Sequence, residues 1–462
     1  MIPPEVELAR GGLARGGDPL GLGPRVRSAW AEGLDLPSRG ELLFYAGDFY
    51  PVMGYAELLL KLTRSPLSTR RLASLGGALM KLGLLPAALR IAGRGANSRY
   101  QASLRKAVNT LIRLGVRPAI LREEEPSFGA VLHTYGLLDE FSEHARGVWE
   151  RLRGAGGGTI VTPDPVAALF FRKHYPEFVD GWDVDAVTWV ELVAERVASE
   201  GVRLEPVSRW AMRVTYHDPC VQSRIMGIVE QPRFLISEIP GVELVEPTRR
   251  GVNTGCSGDG GLELVQPEIA RRLALARGEE LKNTGAELAL TSCPACLLTL
   301  RSSGVEMFFG DLIDMVHDAL LSAKRGEPRE VAWAGARRPL RLTKPRGLSV
   351  EGLTSTLAEL ASRCVRCGFC NPTCSTAQVL DGLESRSARG RVTLIRAMVE
   401  GRDLRPGEVL DRLYTCVLCG ACELTCPAGL PVPDMIIYGR ALAIKLGLVE
   451  REELGVDGGD RR

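Results

Sequence analysis

The chain has 462 residues, more than one hydrophobic core ordinarily serves, so two or three domains are expected. Hydrophobic residues make up 45% and charged residues 25%, ordinary for a water-soluble globular protein, and a formal net charge of +2 is too even to point to nucleic acid as a partner. No apolar run approaches the ~18 residues of a membrane span, which argues against an integral membrane protein. Met1-Ile2-Pro3-Pro4-Glu5 lacks the regions of a signal peptide, so the expected location is the cytoplasm, free or peripheral to the inner face of the membrane.

Residues 1–40 read as an N-terminal extension. From 41 to 205 strands and helices alternate. Leu42–Tyr45 is a short apolar strand ending at Ala46-Gly47-Asp48, and a Leu- and Arg-rich segment near 55–98 reads as a helical insertion. Ser103–Leu114 is helical and Arg117–Leu121 a strand. Gly154–Gly158 precedes a strand instead of following one, so it fails as a dinucleotide fingerprint and reads as a turn. Thr159–Thr162 is a strand stopped by Pro163. The pattern returns over 206–325. Met212–Tyr216 is a strand ending at His217-Asp218-Pro219-Cys220, and Ile269, Leu273 and Ala276 fall on one helical face. Ala286–Thr291 is a strand ending just before Cys293-Pro294-Ala295-Cys296. The alternation predicts α/β layers with largely parallel pairing. The two stretches also match each other, with Asp48 and Asp164 where the second carries Cys220 and Cys293, so an internal duplication is expected. Residues 326–352, with their Pro and Arg cluster, read as a linker, 353–448 as a helical cysteine-rich domain, and 449–462 as a frayed tail.

The twelve cysteines are the informative residues: none precedes Cys220, four lie between Cys220 and Cys296, and eight between Cys364 and Cys426. In a cytosolic chain such clustering points to ligands or redox groups and away from a disulfide framework. Cys364, Cys367, Cys370 and Cys374 follow the spacing C-x-x-C-x-x-C-x-x-x-C, and Cys416, Cys419, Cys422 and Cys426 repeat it, followed by Pro427. A loop with a thiolate every third residue curls around one iron–sulfur cubane and offers three sulfurs, while the fourth cysteine reaches a neighbouring cluster. This rule assigns Cys364, Cys367, Cys370 and Cys426 to one [4Fe-4S] cluster, and Cys416, Cys419, Cys422 and Cys374 to another. Structural zinc is the alternative, but zinc modules use paired C-x-x-C knuckles. Residues 390–397, between the runs, read as a plain helix. The module resembles the α-helical ferredoxin domain of succinate dehydrogenase iron–sulfur subunits and heterodisulfide reductases. Ser375 departs from the proline of bacterial ferredoxins at a place that shapes a turn and supplies no ligand.

A second constellation comprises Cys220, then Asn253-Thr254-Gly255-Cys256-Ser257-Gly258-Asp259-Gly260-Gly261, then Cys293 and Cys296. Cys220 and Cys293 follow strands, at carboxyl ends where α/β sites form. Cys296 opens a helix whose dipole favours a thiolate, and glycines around Cys256 permit close backbone approach. These four are candidate metal ligands. His217 reads as a structural histidine, with orientation of a cluster sulfur as the alternative, and Asp48 and Asp164 read as surface loop aspartates. Residues 214–301 resemble the cysteine-rich "CCG" domain shared by heterodisulfide reductase and the iron–sulfur subunits of glycolate and lactate oxidases and of anaerobic glycerol-3-phosphate dehydrogenase. The resemblance extends over residues 11–448, with the ferredoxin module last where most single-chain members place it first. Two departures stand out. Gly255 precedes Cys256 where the family has adjacent cysteines, and only the second repeat keeps cysteines.

The resemblance implies an α/β duplicated CCG-type domain followed by a mainly α-helical two-cluster ferredoxin domain. It also implies a third iron–sulfur cluster, with zinc as the alternative, at Cys220, Cys256, Cys293 and Cys296. No flavin or nicotinamide motif occurs, so the expected function is that of an iron–sulfur electron-transfer subunit. An FAD-containing dehydrogenase would oxidise a 2-hydroxy acid or related donor, and a quinone or disulfide would accept the electrons. Two alternatives stand beside it: a heterodisulfide-reductase-like enzyme, with subunits of that type as partners, that acts on a disulfide at the CCG cluster, and a relay with structural zinc in the CCG site. The sequence identifies no catalytic residue.

Overall fold

The computed structural model describes residues 3–63, 91, 94–321, 324–331, 333 and 339–449. Four strands, β1 (Leu42–Phe44), β2 (Ala119–Ile120), β3 (Thr159–Thr162) and β4 (Asp185–Thr188), form a parallel sheet in the order β2-β1-β3-β4. After β5 (Val202–Arg203) comes a second parallel sheet, built from β6 (Met212–Tyr216), β7 (Val242–Leu244), β8 (Leu288–Thr291) and β9 (Phe308–Asp311) in the order β7-β6-β8-β9. A short β10 (Lys324–Arg325) returns to pair antiparallel with β5. Helices cover parallel strands on both faces, which is why Phe44, Val161, Val214 and Leu290 are all fully buried.

Counted within each sheet, the strand order is the same, and so is the register. Phe44 pairs with Val161 in the first sheet and Tyr216 with Leu290 in the second. Asp48 therefore stands as far beyond its pair as Cys220 does, and Asp164 as far as Cys293.

One core joins the sheets. Phe44, Ile120 and Val161 share it with Val214, Tyr216 and Leu290, through Leu104 and Leu111 of helix Arg94–Arg113 and Ile313 and Val316 of helix Leu312–Leu320. A second core joins the other face of the first sheet (Leu43, Tyr45, Ile160) to the C-terminal helices through Leu357, Ile395, Leu413, Ile436 and Leu442. The ferredoxin-like module thus packs continuously onto the α/β part, although its place in the sequence invites the reading of a separately folded unit. Its helices begin at sequence-encoded caps: the Ser349 and Ser387 hydroxyls accept from the N–H groups of Gly352 and Gly390, opening helices Val350–Ser362 and Ala388–Val399.

Some expectations shift. The strands expected at Leu42–Tyr45, Arg117–Leu121 and Ala286–Thr291 are shorter, and the helix expected at Ser103–Leu114 runs from Arg94 to Arg113. Ala276 lies on the exposed side of helix Pro267–Lys282, whose buried row is Ile269, Leu273, Arg277 and Leu281. Most of the Leu- and Arg-rich insertion (64–90) and the tail 450–462 lie outside the described residues. Of the linker, Arg329 donates from its N–H to Ala198 (3.0 Å) and Thr343 to Glu177 (2.7 Å), so it is tied to the α/β part at these two residues. Among the described residues no helix is long and apolar enough to cross a membrane.

Candidate functional site

Three sets of cysteines converge, and none of the twelve forms a disulfide. Cys364, Cys367, Cys370 and Cys426 line a small pocket of about 30 Å³, and Cys374, Cys416, Cys419 and Cys422 line another of about 20 Å³. Each set takes three cysteines from one run and the last from the other. The loops share an uncommon backbone twist. Arg366 (φ 56°) and Leu418 (φ 52°) stand at equivalent places in the left-handed region, followed by Gly368 (φ 84°) and Gly420 (φ 71°). Non-glycine residues adopt that conformation only against steric resistance. Alternating left- and right-handed residues in a loop form a concavity of backbone N–H groups suited to the negative charge of thiolates and sulfides.

The two pockets differ in setting. The outer one is near the surface, with Cys367 exposed and Val365 and Phe369 beside it 71% and 63% exposed. Around the inner one, buried Arg391 directs Nη1 to Cys374 Sγ (3.6 Å) and Nη2 to Thr376 and Thr415 (2.9 and 2.8 Å). Buried Arg440 donates through Nη2 to the Cys416 and Leu413 carbonyls (2.8 and 2.9 Å). Burial pushes the thiols of Cys370 and Cys419 up to about 11. Thiolates therefore need compensating positive charge in both pockets, which bound iron fits, and around the inner one Arg391 and Arg440 add to it.

Between the carboxyl ends of the two sheets lies a cavity of about 270 Å³, lined by Cys220, Cys256, Cys293 and Cys296. Donation from the Cys256 thiol holds Cys220 below its ordinary value, while Cys256 itself is pushed well above. Cys296 donates to Cys293, but burial with the nearby carboxylates of Asp164 and Asp259 outweighs that and raises Cys293. Cys296, as the donor of that pair, is pushed well up. The N–H of Gly258 points at Cys256 Sγ (3.4 Å). The glycines of this loop serve close approach to other backbone: a Cβ on Gly258 would meet the Ala270 oxygen at 2.3 Å, and one on Gly260 the Val417 oxygen at 2.6 Å. At Gly255, a Cβ would stand 3.1 Å from the Arg249 guanidinium and 3.2 Å from Arg277 Cδ, so two arginines occupy the space of a fifth cysteine.

Arg224 ties this centre to the inner pocket. Its guanidinium donates to the carbonyls of Val252 (2.8 Å) and Thr254 in the CCG loop and to Cys419 (2.7 Å). His217 is fully buried and not a satisfied structural histidine. Its Nδ1 accepts from Arg277 Nε (3.0 Å), which leaves the proton on Nε2; that atom has no hydrogen-bond partner among the described residues, and His217 lines the cavity.

Asp48 and Asp164 are buried, not surface residues. Asp48 accepts from Ser127 Oγ (2.5 Å) and faces Arg27 (3.6 Å), and burial raises it to about 6. Burial raises Asp164 to about 8 from 3.8. The folded state then holds a proton on Asp164 that the unfolded chain releases, so its contribution to stability, full below about pH 4, is lost as pH rises towards 8. Asp164→Asn should flatten that decline, measured as unfolding midpoints at pH 5 and pH 8. An unchanged pH slope would show that Asp164 is ionised in the fold.

Two family models match: a 4Fe-4S dicluster domain over residues 360–430 and a cysteine-rich domain over residues 214–301. The chain carries a CCG domain and a 4Fe-4S dicluster domain. Among curated relatives, the chain is 33% identical to one subunit of the CoM/CoB fumarate reductase of Methanothermobacter marburgensis over 165 residues, 35% of this chain and 32% of that one. It is 29% identical to one subunit of the dihydromethanophenazine:CoB–CoM heterodisulfide reductase of Methanosarcina mazei over 219 residues, 46% of this chain and 53% of that one. It is 42% identical to the glycolate oxidase iron–sulfur subunit of Escherichia coli over 93 residues, 19% of this chain and 22% of that one. The chain thus spans between about a fifth and half of the length of these relatives. These relatives are iron–sulfur proteins or subunits of oxidoreductases.

Proposed function

We propose that this protein is the iron–sulfur electron-transfer subunit of a flavin-linked oxidoreductase complex whose donor is a 2-hydroxy acid or related compound. The observation that carries the reading is the spatial order of the cysteine sets, from an exposed outer pocket through a buried inner one to the CCG cavity. Bound [4Fe-4S] clusters supply one-electron transfer, which a flavin elsewhere must couple to two-electron organic chemistry. Cys364, Cys367, Cys370 and Cys426 would hold the outer cluster and Cys374, Cys416, Cys419 and Cys422 the inner one. Cys220, Cys256, Cys293 and Cys296 would hold a third, with zinc as the alternative. The two sheets are read as diverged copies of one CCG repeat, with Asp48 and Asp164 in the places of Cys220 and Cys293. Exposed Val365 and Phe369 beside Cys367 offer the docking face for the flavoprotein, on the cytoplasmic side. Arg391 and Arg440 offset negative charge at the inner pocket, and His217 offers its Nε2–H at the CCG centre.

Anaerobic purification at low salt should bring down a flavoprotein. Lactate, glycolate or glycerol 3-phosphate should reduce a dye only when that companion is present. Phe369→Asp should release the companion with iron content unchanged. Substrate-dependent dye reduction by the chain alone would sink the subunit reading. Eight irons with one zinc per chain, in place of about twelve irons, would assign the CCG site to zinc.

A further inference from the structure

The CCG cavity is roughly an order of magnitude larger than either pocket ringed by four ferredoxin cysteines, about 270 Å³ against about 30 and 20 Å³. Its lining reaches well beyond the four cysteines. Its two halves differ in chemistry. One wall carries the four cysteines. The rest of the lining, from the first sheet's loops and helices, is apolar (Phe49, Val52, Met53, Phe170), with Phe49 and Met53 packed beside Cys293 and Cys296, and holds a buried polar group of its own, His133, His174 and Lys173.

That group is built, and no sequence motif marks it. Ligand atoms of His133, His174 and Glu177 all lie within 4.8 Å of one another. The His133 and His174 ring centres lie 4.0 Å apart with the rings tilted by 40°, and Phe141 and Phe170 pack around His133. His174 Nδ1 contacts Glu177 Oε2 at 3.0 Å. Glu177 Oε1 accepts from Lys173 Nζ (3.1 Å) and the Thr343 N–H (2.7 Å), and Lys173 also reaches Asp434 Oδ1 (2.6 Å). A divalent ion is a poor fit: both Glu177 oxygens are engaged, and the Lys173 ammonium, with Arg440 beyond, already supplies the local positive charge. His133 differs from its neighbours. It forms no side-chain hydrogen bond among the described residues and lines the cavity, where burial keeps it neutral with one N–H to donate.

We propose that this cavity binds a quinone-class acceptor, with its ring among the apolar side chains and one carbonyl oxygen accepting a hydrogen bond from His133. The inference rests on the electron-transfer reading above and names where the electrons leave. In the first half of the molecule an organic ligand takes the place that cysteine ligands hold in the second. The reaction is quinone plus two electrons plus two protons giving quinol, both C=O groups becoming C–OH. The electrons arrive singly from the cysteine wall, supplied in the complex by the reduced flavoprotein. Both protons enter from solvent at the open side of the cavity, while the His133 N–H holds its hydrogen bond to the carbonyl oxygen throughout. Lys173 supplies positive charge to the singly reduced ligand.

The test uses the anaerobic, cluster-loaded full chain, menadione and glutathione disulfide in equilibrium dialysis, and stopped-flow oxidation of pre-reduced protein freed of reductant. The expected result is saturable menadione binding at one site. His133→Phe should weaken it by about tenfold, the loss of one buried hydrogen bond, and slow oxidation by menadione with iron content unchanged. His133→Gln, which keeps a donor, should largely restore both, and Met53→Trp, which fills the apolar wall, should abolish binding independently of His133. Menadione binding unaffected by His133→Phe and Met53→Trp would overturn the proposal. So would glutathione disulfide competing for the site as the better ligand, or one divalent metal per chain lost in His133→Phe. If the clusters form and reduce normally yet menadione does not bind, only this inference fails. If they cannot be reduced by any companion flavoprotein, the electron-transfer reading fails first.

Discussion

Replacing Cys426 with Ala empties the outer pocket and spares the inner one, although Cys426 belongs to the inner pocket's sequence run. The grounds are spatial. Cys426 shares its pocket with Cys364, Cys367 and Cys370, and Leu430 N–H reaches its Sγ at 3.5 Å. Cys374 stands among Cys416, Cys419 and Cys422 with the Arg391 guanidinium at its sulfur. A four-iron cluster deprived of one of four thiolates is degraded or lost, so about four irons per chain should disappear from Cys426→Ala. Paramagnetic resonance of the reduced protein should lose the signal of the more solvent-exposed cluster. Cys374→Ala should give the complementary loss. Removal of the inner signal by Cys426→Ala would mean that each run serves itself and that the crossed arrangement is wrong.

The second large effect is on stability, at Arg440. Its guanidinium is fully buried, donates to the carbonyls of Thr134 (2.6 Å), Leu413 (2.9 Å) and Cys416 (2.8 Å), and lies over the Tyr414 ring at 4.9 Å. These carbonyls come from the α/β part and from the ferredoxin-like module, so one side chain satisfies acceptors on both sides of a buried seam. Arg440→Met keeps much of the volume but strands the carbonyls, and such losses cost roughly 3–5 kcal/mol in total. Thermal or denaturant unfolding of the loaded protein should show a loss of that order. Arg440→Lys, which can reach fewer acceptors, should fall between. A change below about 1 kcal/mol would mean that water replaces the guanidinium and that the seam is looser than its packing indicates.

What the sequence discloses follows the reach of its signals. Thr159–Thr162 and Met212–Tyr216 match their expected bounds because β-branched and apolar residues run directly into a proline or a cysteine loop. Ala119–Ile120 is shorter than its apolar stretch because only two residues find partners on β1. Helix Pro267–Lys282 buries Ile269 and Leu273 as expected but continues the row through Arg277 in place of Ala276, because apolar periodicity counts an arginine as surface. The ferredoxin cysteines group as their spacing says, since the grouping is local to two loops. Asp48 and Asp164 escape a composition-based reading because aspartate is usually exposed, and only the matching registers of the two sheets place them at buried ends. His133, His174 and Glu177 carry no motif. They meet through packing of helices near Ala130 and Tyr175, and Lys173 finds Asp434 across more than half the chain.

Arg224 has a kinetic consequence. By clasping Val252 and Thr254 on one side and Cys419 on the other, it ties the inner pocket to the CCG centre through one guanidinium. Transfer across a gap tied in this way needs no collective domain motion, which ordinarily takes microseconds to milliseconds. Internal electron equilibration after a flash-reduction pulse should therefore be indifferent to added sucrose or glycerol, while encounter with the external donor at Cys367 slows in proportion to solvent viscosity.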